Sequence, residues 1–301
     1  MKKTKITFLG TSAMVPTISR NHSSILFEYS PNVFLFDCGE GTQRQLRKIK
    51  YSANKIEAIF LSHFHGDHIL GIPGLLQTIN ANDRKESLSI YGPVGLNKFI
   101  SNLILTFSLD NLSYEIKVFE IKENSIILEN KDLIIKSFEL SHSINCIGYK
   151  IIEKDRIKIS NKKIKELGVE GNPLLKKLKF LETVEFNGKT INPKDIGVLE
   201  KGRKIGIIMD TEECDGYYSI AEDCDLLISE STHISIDEKM AKKSMHMTAK
   251  RCAQISKEKN VKKLLLTHIS QRYQKSNLVL NDAKKEFKNV EIASDFLVVE
   301  L

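Results

Sequence analysis

The chain has 301 residues, of which 41% are hydrophobic and 28% charged, a length and balance that allow one large or two ordinary folded domains. No apolar run nears the roughly 18 consecutive residues a membrane helix needs, and Thr7, Gly10, Thr11 and Ser12 break up any signal peptide after Met1-Lys2-Lys3, so a soluble cytoplasmic protein with no membrane partner is expected. Five scattered cysteines without a CxxC pair give no disulfide framework, and the whole net charge of +7 sits between Lys150 and Lys204, where 15 Lys and Arg face 8 Asp and Glu.

Short apolar runs alternate with helical patterns. Strands are expected at 5–9, 24–28 and 33–36, a helix over 42–49, a strand over 56–61 and a helix over 72–79. A strand at 88–91, a helix over 94–105 and strands at 114–121, 133–140 and 146–152 follow. From Glu153 to Arg203 the apolar period fails and Gly168, Gly171, Pro173, Gly188 and Pro193 punctuate a lysine-rich stretch, so a projecting arm with little core is expected inside one domain that spans residues 1–301. Within it, Ser160 and Gly168 are the expected caps of a short helix. Strands at 204–209, 226–229 and 261–266, helices over 248–257 and 278–287, and two short strands complete a mixed α/β chain.

Three of the eight histidines fall in six positions: His63, His65 and His68, with Asp67 beside them. Alternating residues on extended backbone point the same way, so His63 and His65 can converge on one ion, while a sharp turn at Gly66 can aim Asp67 and His68 at a second. Imidazole and carboxylate donors without thiolates suit a catalytic zinc site open to water. His142, Asp210 and His268 each follow an expected strand, where a rigid sheet can hold a ligand. Together they supply one ion with His63, His65 and His142, the other with Asp67, His68 and His268, and leave Asp210 to bridge.

The run His63 to His68 resembles the HxHxDH signature of the metallo-β-lactamase superfamily. Asp37-Cys38-Gly39-Glu40-Gly41-Thr42-Gln43, Gly71 to Gly74 and Leu266-Thr267-His268-Ile269-Ser270 with Arg272-Tyr273 resemble, more narrowly, the ribonuclease Z family of tRNA 3′-end processing endonucleases. The resemblance implies a four-layer αβ/βα sandwich and two Zn2+ ions per subunit, with Mn2+ or Fe2+ also suited to the donors. It implies Asp67 as proton acceptor, Glu230 orienting His246, and His246 serving the leaving oxygen. Asp37 is expected behind the ligands, fixing an imidazole through its other nitrogen. The family's His-Glu-Ala-Thr motif reads Ser229-Glu230-Ser231-Thr232 here, and His233 is expected to be non-catalytic.

By the same resemblance, Pro16, Arg20 and Asn21 match a substrate loop whose lysine position holds Ile18, and Arg272 joins Arg20 and Asn21 as a substrate contact. The basic segment corresponds to an arm that grips tRNA, with Lys176, Lys177 and Lys179 after an altered tip at Gly171-Asn172-Pro173. Precursor tRNA is the implied partner, in a homodimer, with no DNA partner. Another hydrolase of the superfamily, acting on a small phosphodiester, lactone or sulfate ester, and a tRNA-binding relative without catalysis are the competing readings; the basic segment opposes the first and the full ligand set the second.

Overall fold

The computed structural model describes residues 2–301. Two seven-stranded sheets face one another. The first runs in the order Val298–Glu300, Thr4–Gly10, Ser24–Tyr29, Asn32–Phe36, Ala58–Phe60, Leu88–Pro93 and Ile116–Ile121; the second runs Val290–Ile292, Leu264–Thr267, Leu226–Glu230, Lys204–Ile208, Cys146–Glu153, Leu133–Leu140 and Ser125–Glu129.

The period-two alternation of the strands sets the layers. Ile25, Phe27, Phe34, Phe36 and Phe60 point between the sheets, where they meet Tyr149, Ile151, Ile207 and Ile228 of the opposite one. The intervening Leu26, Leu35 and Ile59 turn outward and pack with residues of the helices Ile72–Ala81 and Leu96–Thr106. On the other side, Leu227, Leu264 and Leu266 turn outward to residues of Asp215–Ala221, Ala249–Glu258 and Asn277–Lys284. The layers are therefore helix, sheet, sheet, helix.

Each sheet contains a parallel block. Asn32–Phe36, Ala58–Phe60 and Leu88–Pro93 run together in one, and Lys204–Ile208, Leu226–Glu230 and Leu264–Thr267 in the other. Parallel strands bring their carboxyl ends to one edge of a sheet, where loops can carry a site.

Several elements differ from the sequence expectation. The strand before the histidine motif is only Ala58–Phe60, because Leu61 onward leaves the ladder toward the site, keeping one bond from Leu61 N to the Tyr91 carbonyl. The sharp turn expected at Gly66 is the start of the short helix Gly66–Ile69, with His65 as the N-cap residue in extended conformation. The strand Ser125–Glu129 was not expected, since its faces are mostly exposed and lack a clean alternation.

The largest correction concerns residues 153–203. This segment is not coreless: Ile157, Ile164, Val169, Leu178, Val184, Ile191 and Ile196 form a small buried cluster of their own. They come from three short strands, three short helices and, for Val169, the turn after the first of those helices, each element too brief to show a period along the sequence. The expected helix is Asn161–Glu166, capped by Ser160 Oγ accepting from Lys163 N, and Gly168 follows it with φ +66°.

Candidate metal centre and active site

The side chains expected to ligate converge between the two sheet edges as two sets of four atoms. In the first set, His65 Nδ1 lies 3.0 Å from His63 Nε2 and 3.3 Å from His142 Nε2, while Asp210 Oδ2 lies 3.6 and 3.8 Å from those two nitrogens. In the second, His68 Nε2 lies 3.3 Å from both Asp67 Oδ2 and Asp210 Oδ1, and His268 Nε2 lies 3.3 and 3.1 Å from the same oxygens. Tetrahedral ligands about 2.0–2.1 Å from an ion are about 3.3 Å apart. Both sets have that spacing, and the two oxygens of Asp210 are divided between them.

Fit to a cation is also shown by what these atoms lack. His68 Nε2 and Asp210 Oδ1 are buried without a hydrogen-bond partner, a costly arrangement for polar atoms unless a cation satisfies them. Burial alone would raise the Asp67 and Asp210 carboxyls, but the imidazoles of His268 and His68 outweigh it and hold both well below the usual carboxylate range. Burial, reinforced by the neighbouring imidazoles, pushes His63 well down, and burial lowers His142. His68 goes the other way: burial would lower it, but Asp210 and Asp37 outweigh burial and raise it well above the usual range. A divalent metal binds neutral imidazoles and ionised carboxylates, so it would take the place of the His68 proton between these carboxylates.

Four of the five imidazoles in these sets are held by their other nitrogen. Asp37 Oδ2 accepts from His68 Nδ1 at 2.7 Å and from Ser62 Oγ at 2.9 Å. Because the single hydroxyl proton of Ser62 is thereby used, Ser62 Oγ accepts from His63 Nδ1 at 2.9 Å. His142 Nδ1 donates to the Met245 carbonyl at 3.1 Å. These bonds leave Nε2 of all three rings free to act as the ligand atom, whereas His65 presents Nδ1.

Glu230 repeats the Asp37 arrangement in the opposite sheet. Its Oε1 accepts from His246 Nδ1 and from Thr211 N, both at 2.8 Å, and its Oε2 accepts from Thr232 Oγ1 at 2.6 Å. Thr232 Oγ1, its proton committed, accepts from His268 Nδ1 at 2.8 Å. One buried carboxylate thus orients His246 directly and His268 through a hydroxyl. Burial pulls the His246 imidazole down, yet Glu230, by charge and hydrogen bond, and then Asp210 raise it to about 9. Its Nε2 faces the centre, 3.9 Å from Asp210 Oδ2.

These groups open into a cleft of about 570 Å³, whose walls include Met14, Val15, Leu70, Met240 and Arg272. Arg272 lies at its rim, bonded to Met240 Sδ. Arg20 and Asn21 make bonds within the protein. The Arg20 guanidinium donates to Thr11 Oγ1, the Ala293 carbonyl and Ser276 Oγ, and Asn21 Nδ2 donates to the Glu40 carbonyl, so both side chains brace the loop that carries the fully exposed Ile18. Lys176, Lys177 and Lys179 are exposed on the helix Leu174–Lys179 of the 153–203 segment. His233 is buried, and its Nε2 meets Ser244 Oγ at 3.3 Å. Ser62, Thr232 and the Met245 carbonyl were missed by sequence reasoning. The first two could have been found from position, one beside His63 and one two residues beyond Glu230; a backbone carbonyl leaves no such signal.

Ribonuclease Z from Bacillus cereus is 42% identical over 296 residues, 96% of each chain, and ribonuclease Z from Methanosarcina acetivorans is 39% identical over 300 residues, 99% of this chain and 98% of its own. The chain belongs to the ribonuclease Z family. A family model described as Anti-Pycsar protein Apyc1 matches residues 4–160, so this half of the chain belongs to that family too; the match ends before Asp210, Glu230, His246 and His268. Human tRNase Z, short form, superposes with a TM-score of 0.72 at 29% identity over 98% of both chains. A metallo-β-lactamase fold protein from Bacillus subtilis superposes at 0.73 over the whole of both chains with 21% identity, so this ribonuclease Z family member has the metallo-β-lactamase fold.

Replacing Thr232 by Val keeps the shape but removes the hydroxyl between Glu230 and His268. Loss of such an orienting contact is expected to weaken metal binding by about 10–100-fold, measured by competition with a chromogenic chelator. Unchanged affinity in a folded Thr232→Val protein would contradict the role given to this hydroxyl.

Proposed function

We propose that the chain is a metal-dependent endoribonuclease that hydrolyses precursor tRNA 3′ of the discriminator nucleotide, leaving a 3′-hydroxyl on the tRNA and a 5′-phosphate on the trailer. The observation that carries this reading is the joint presence of two four-atom donor sets sharing Asp210 and a carboxylate-held imidazole, His246, beside them. His63, His65 and His142 would hold one Zn2+, Asp67, His68 and His268 the other, with Asp210 between; Mn2+ or Fe2+ suits the same donors. When bound, two such ions supply positive charge to the phosphoryl oxygens and lower the pKa of water.

The chain's own groups divide the remaining work. Asp67, which lines the cleft, accepts the proton of the attacking water. Glu230 holds His246 in one tautomer, with Nε2 directed to the centre, and His246 donates its proton to the departing 3′ oxygen of the tRNA. Asp37 keeps His68, and through Ser62 also His63, in register with these groups.

The 153–203 segment serves as the arm that grips tRNA, with Lys176, Lys177 and Lys179 contacting phosphates. A small substrate would have no use for that exposed basic surface. Family resemblance supports a homodimer in which one subunit's arm holds the tRNA cut by the other. No helix among the described residues is long and apolar enough to cross a membrane, and a tRNA substrate fits the cytoplasm.

His246→Ala should lower turnover of precursor tRNA by roughly 100 to 10,000-fold, the range for losing a general acid, with metal content unchanged. A phosphodiester with a much better leaving group should be largely spared; equal loss on both would assign His246 to structure or binding. Changing Lys176, Lys177 and Lys179 together to Ala should weaken precursor binding and reduce its salt slope by about one unit per lost phosphate contact. Binding and slope equal to those of the unaltered protein would remove the segment from the substrate interface.

A further inference from the structure

The 153–203 segment is joined to the sandwich through a buried knot of charges. At its entry and exit, Glu153 N donates to the Arg203 carbonyl at 2.8 Å, and Arg203 Nε donates to Glu153 Oε2 at 2.9 Å. Thr4 Oγ1, on the first strand, donates to Glu153 Oε1 at 2.6 Å. Arg156 lies deeper, only 3% exposed. Its Nη2 donates to Tyr29 Oη at 2.8 Å and to Asp132 Oδ1 at 2.7 Å, while the other oxygen of Asp132 accepts from Lys2 Nζ at 2.7 Å.

The Arg156 guanidinium also meets two rings, with centroids 5.8 Å away for Tyr29 and 5.3 Å away for Phe180. Tyr29 belongs to the sheet. Phe180 is the C-cap of the helix Leu174–Lys179, which bears Lys176, Lys177 and Lys179. The segment's apolar cluster is separate from the three clusters of the sandwich, so apolar packing holds the segment together while the charged knot ties it to the body. A buried ion pair adds little net stability, but breaking it leaves a costly unpaired charge. Both acceptors are served by the two in-plane N–H groups of Nη2, so together with the ring contacts they fix the plane of the guanidinium. Such a joint defines an angle more than it adds strength.

We propose that Arg156 is a positioning residue: ion-paired to Asp132 and lodged between Tyr29 of the sheet and Phe180 of the segment, it sets the orientation in which the Leu174–Lys179 helix meets the substrate. This inference rests on the reading of the segment as the tRNA-gripping arm. It adds that the grip is set from a point outside both the lysines and the metal centre.

The test compares Arg156→Met with Arg156→Met/Asp132→Asn in the full chain, the double variant leaving neither charge unpaired against the other. If release leaves the arm in its binding orientation about a tenth of the time, KM for precursor tRNA rises about ten-fold. The account expects that rise in both variants, with kcat unchanged, with hydrolysis of a small chromogenic phosphodiester unchanged, and with faster hydrogen exchange over residues 174–180. Phe180→Leu, which removes one ring and no charge, should move KM in the same direction. Unchanged KM in the Arg156 variants, while the triple-lysine protein binds poorly, overturns the clamp and leaves the arm reading intact. Unchanged binding in the triple-lysine protein overturns both. Equal losses on precursor tRNA and the small substrate overturn the clamp as well, because Arg156 would then support the catalytic fold.

Discussion

A single carboxylate, Asp210, organises the site: its two oxygens face different sets of three side chains, drawn from both sheets. Everything around it keeps these six partners at ligand spacing. The two sheets must therefore hold their relative position to within a fraction of an ångström at this edge. The close-packed aromatic layer between them does so. Phe36 and Phe60 stack at 5.0 Å, and Tyr149 of the opposite sheet meets both edge-on at 5.5 Å. Tyr149 further ties the sheets by donating to the Leu61 carbonyl at 2.5 Å, two residues before His63.

The two halves solve one problem in the same way. Asp37 follows a strand of the first sheet and Glu230 ends a strand of the second; each is buried, each accepts directly from one imidazole and from one hydroxyl that accepts from another. Orientation is thus fixed by bonds whose donors have no alternative use for their protons. Backbone strain accompanies this arrangement. Asp37 and His268, neither of them glycine, have φ of 56° and 55°, a conformation that costs on the order of 1–3 kcal/mol and persists only where the surroundings enforce it.

The strands were legible as short apolar runs such as Val33 to Phe36, whose aromatic residues turn inward and aliphatic ones outward, while the four-layer sandwich was implied by the family resemblance. The side chains that converge at this edge were legible because the chemistry of a metal site narrows the candidates to imidazoles and carboxylates after strands. The small core of the 153–203 segment was not, since Ile157, Ile164, Val169 and Leu178 are spaced by folding of short elements and not by any one period. Arg20 shows a different limit. Its residue type and its place in a matching loop suggested a substrate contact, and nothing in the sequence pointed to the three acceptors within the protein that its guanidinium also meets. Charge on a sequence does not disclose whether a partner is another molecule or the chain itself.

The claim most open to direct attack is that Asp210 joins two metal sites into one centre. Native mass spectrometry of the purified protein, read beside that of Asp210→Ala, counts the ions that each holds. The account predicts about two ions per chain in the unaltered protein, as a two-metal hydrolytic centre requires, and loss of at least one, together with precursor tRNA cleavage, in the variant. A single ion in the unaltered protein, or a fully loaded and active Asp210→Ala protein, would contradict it.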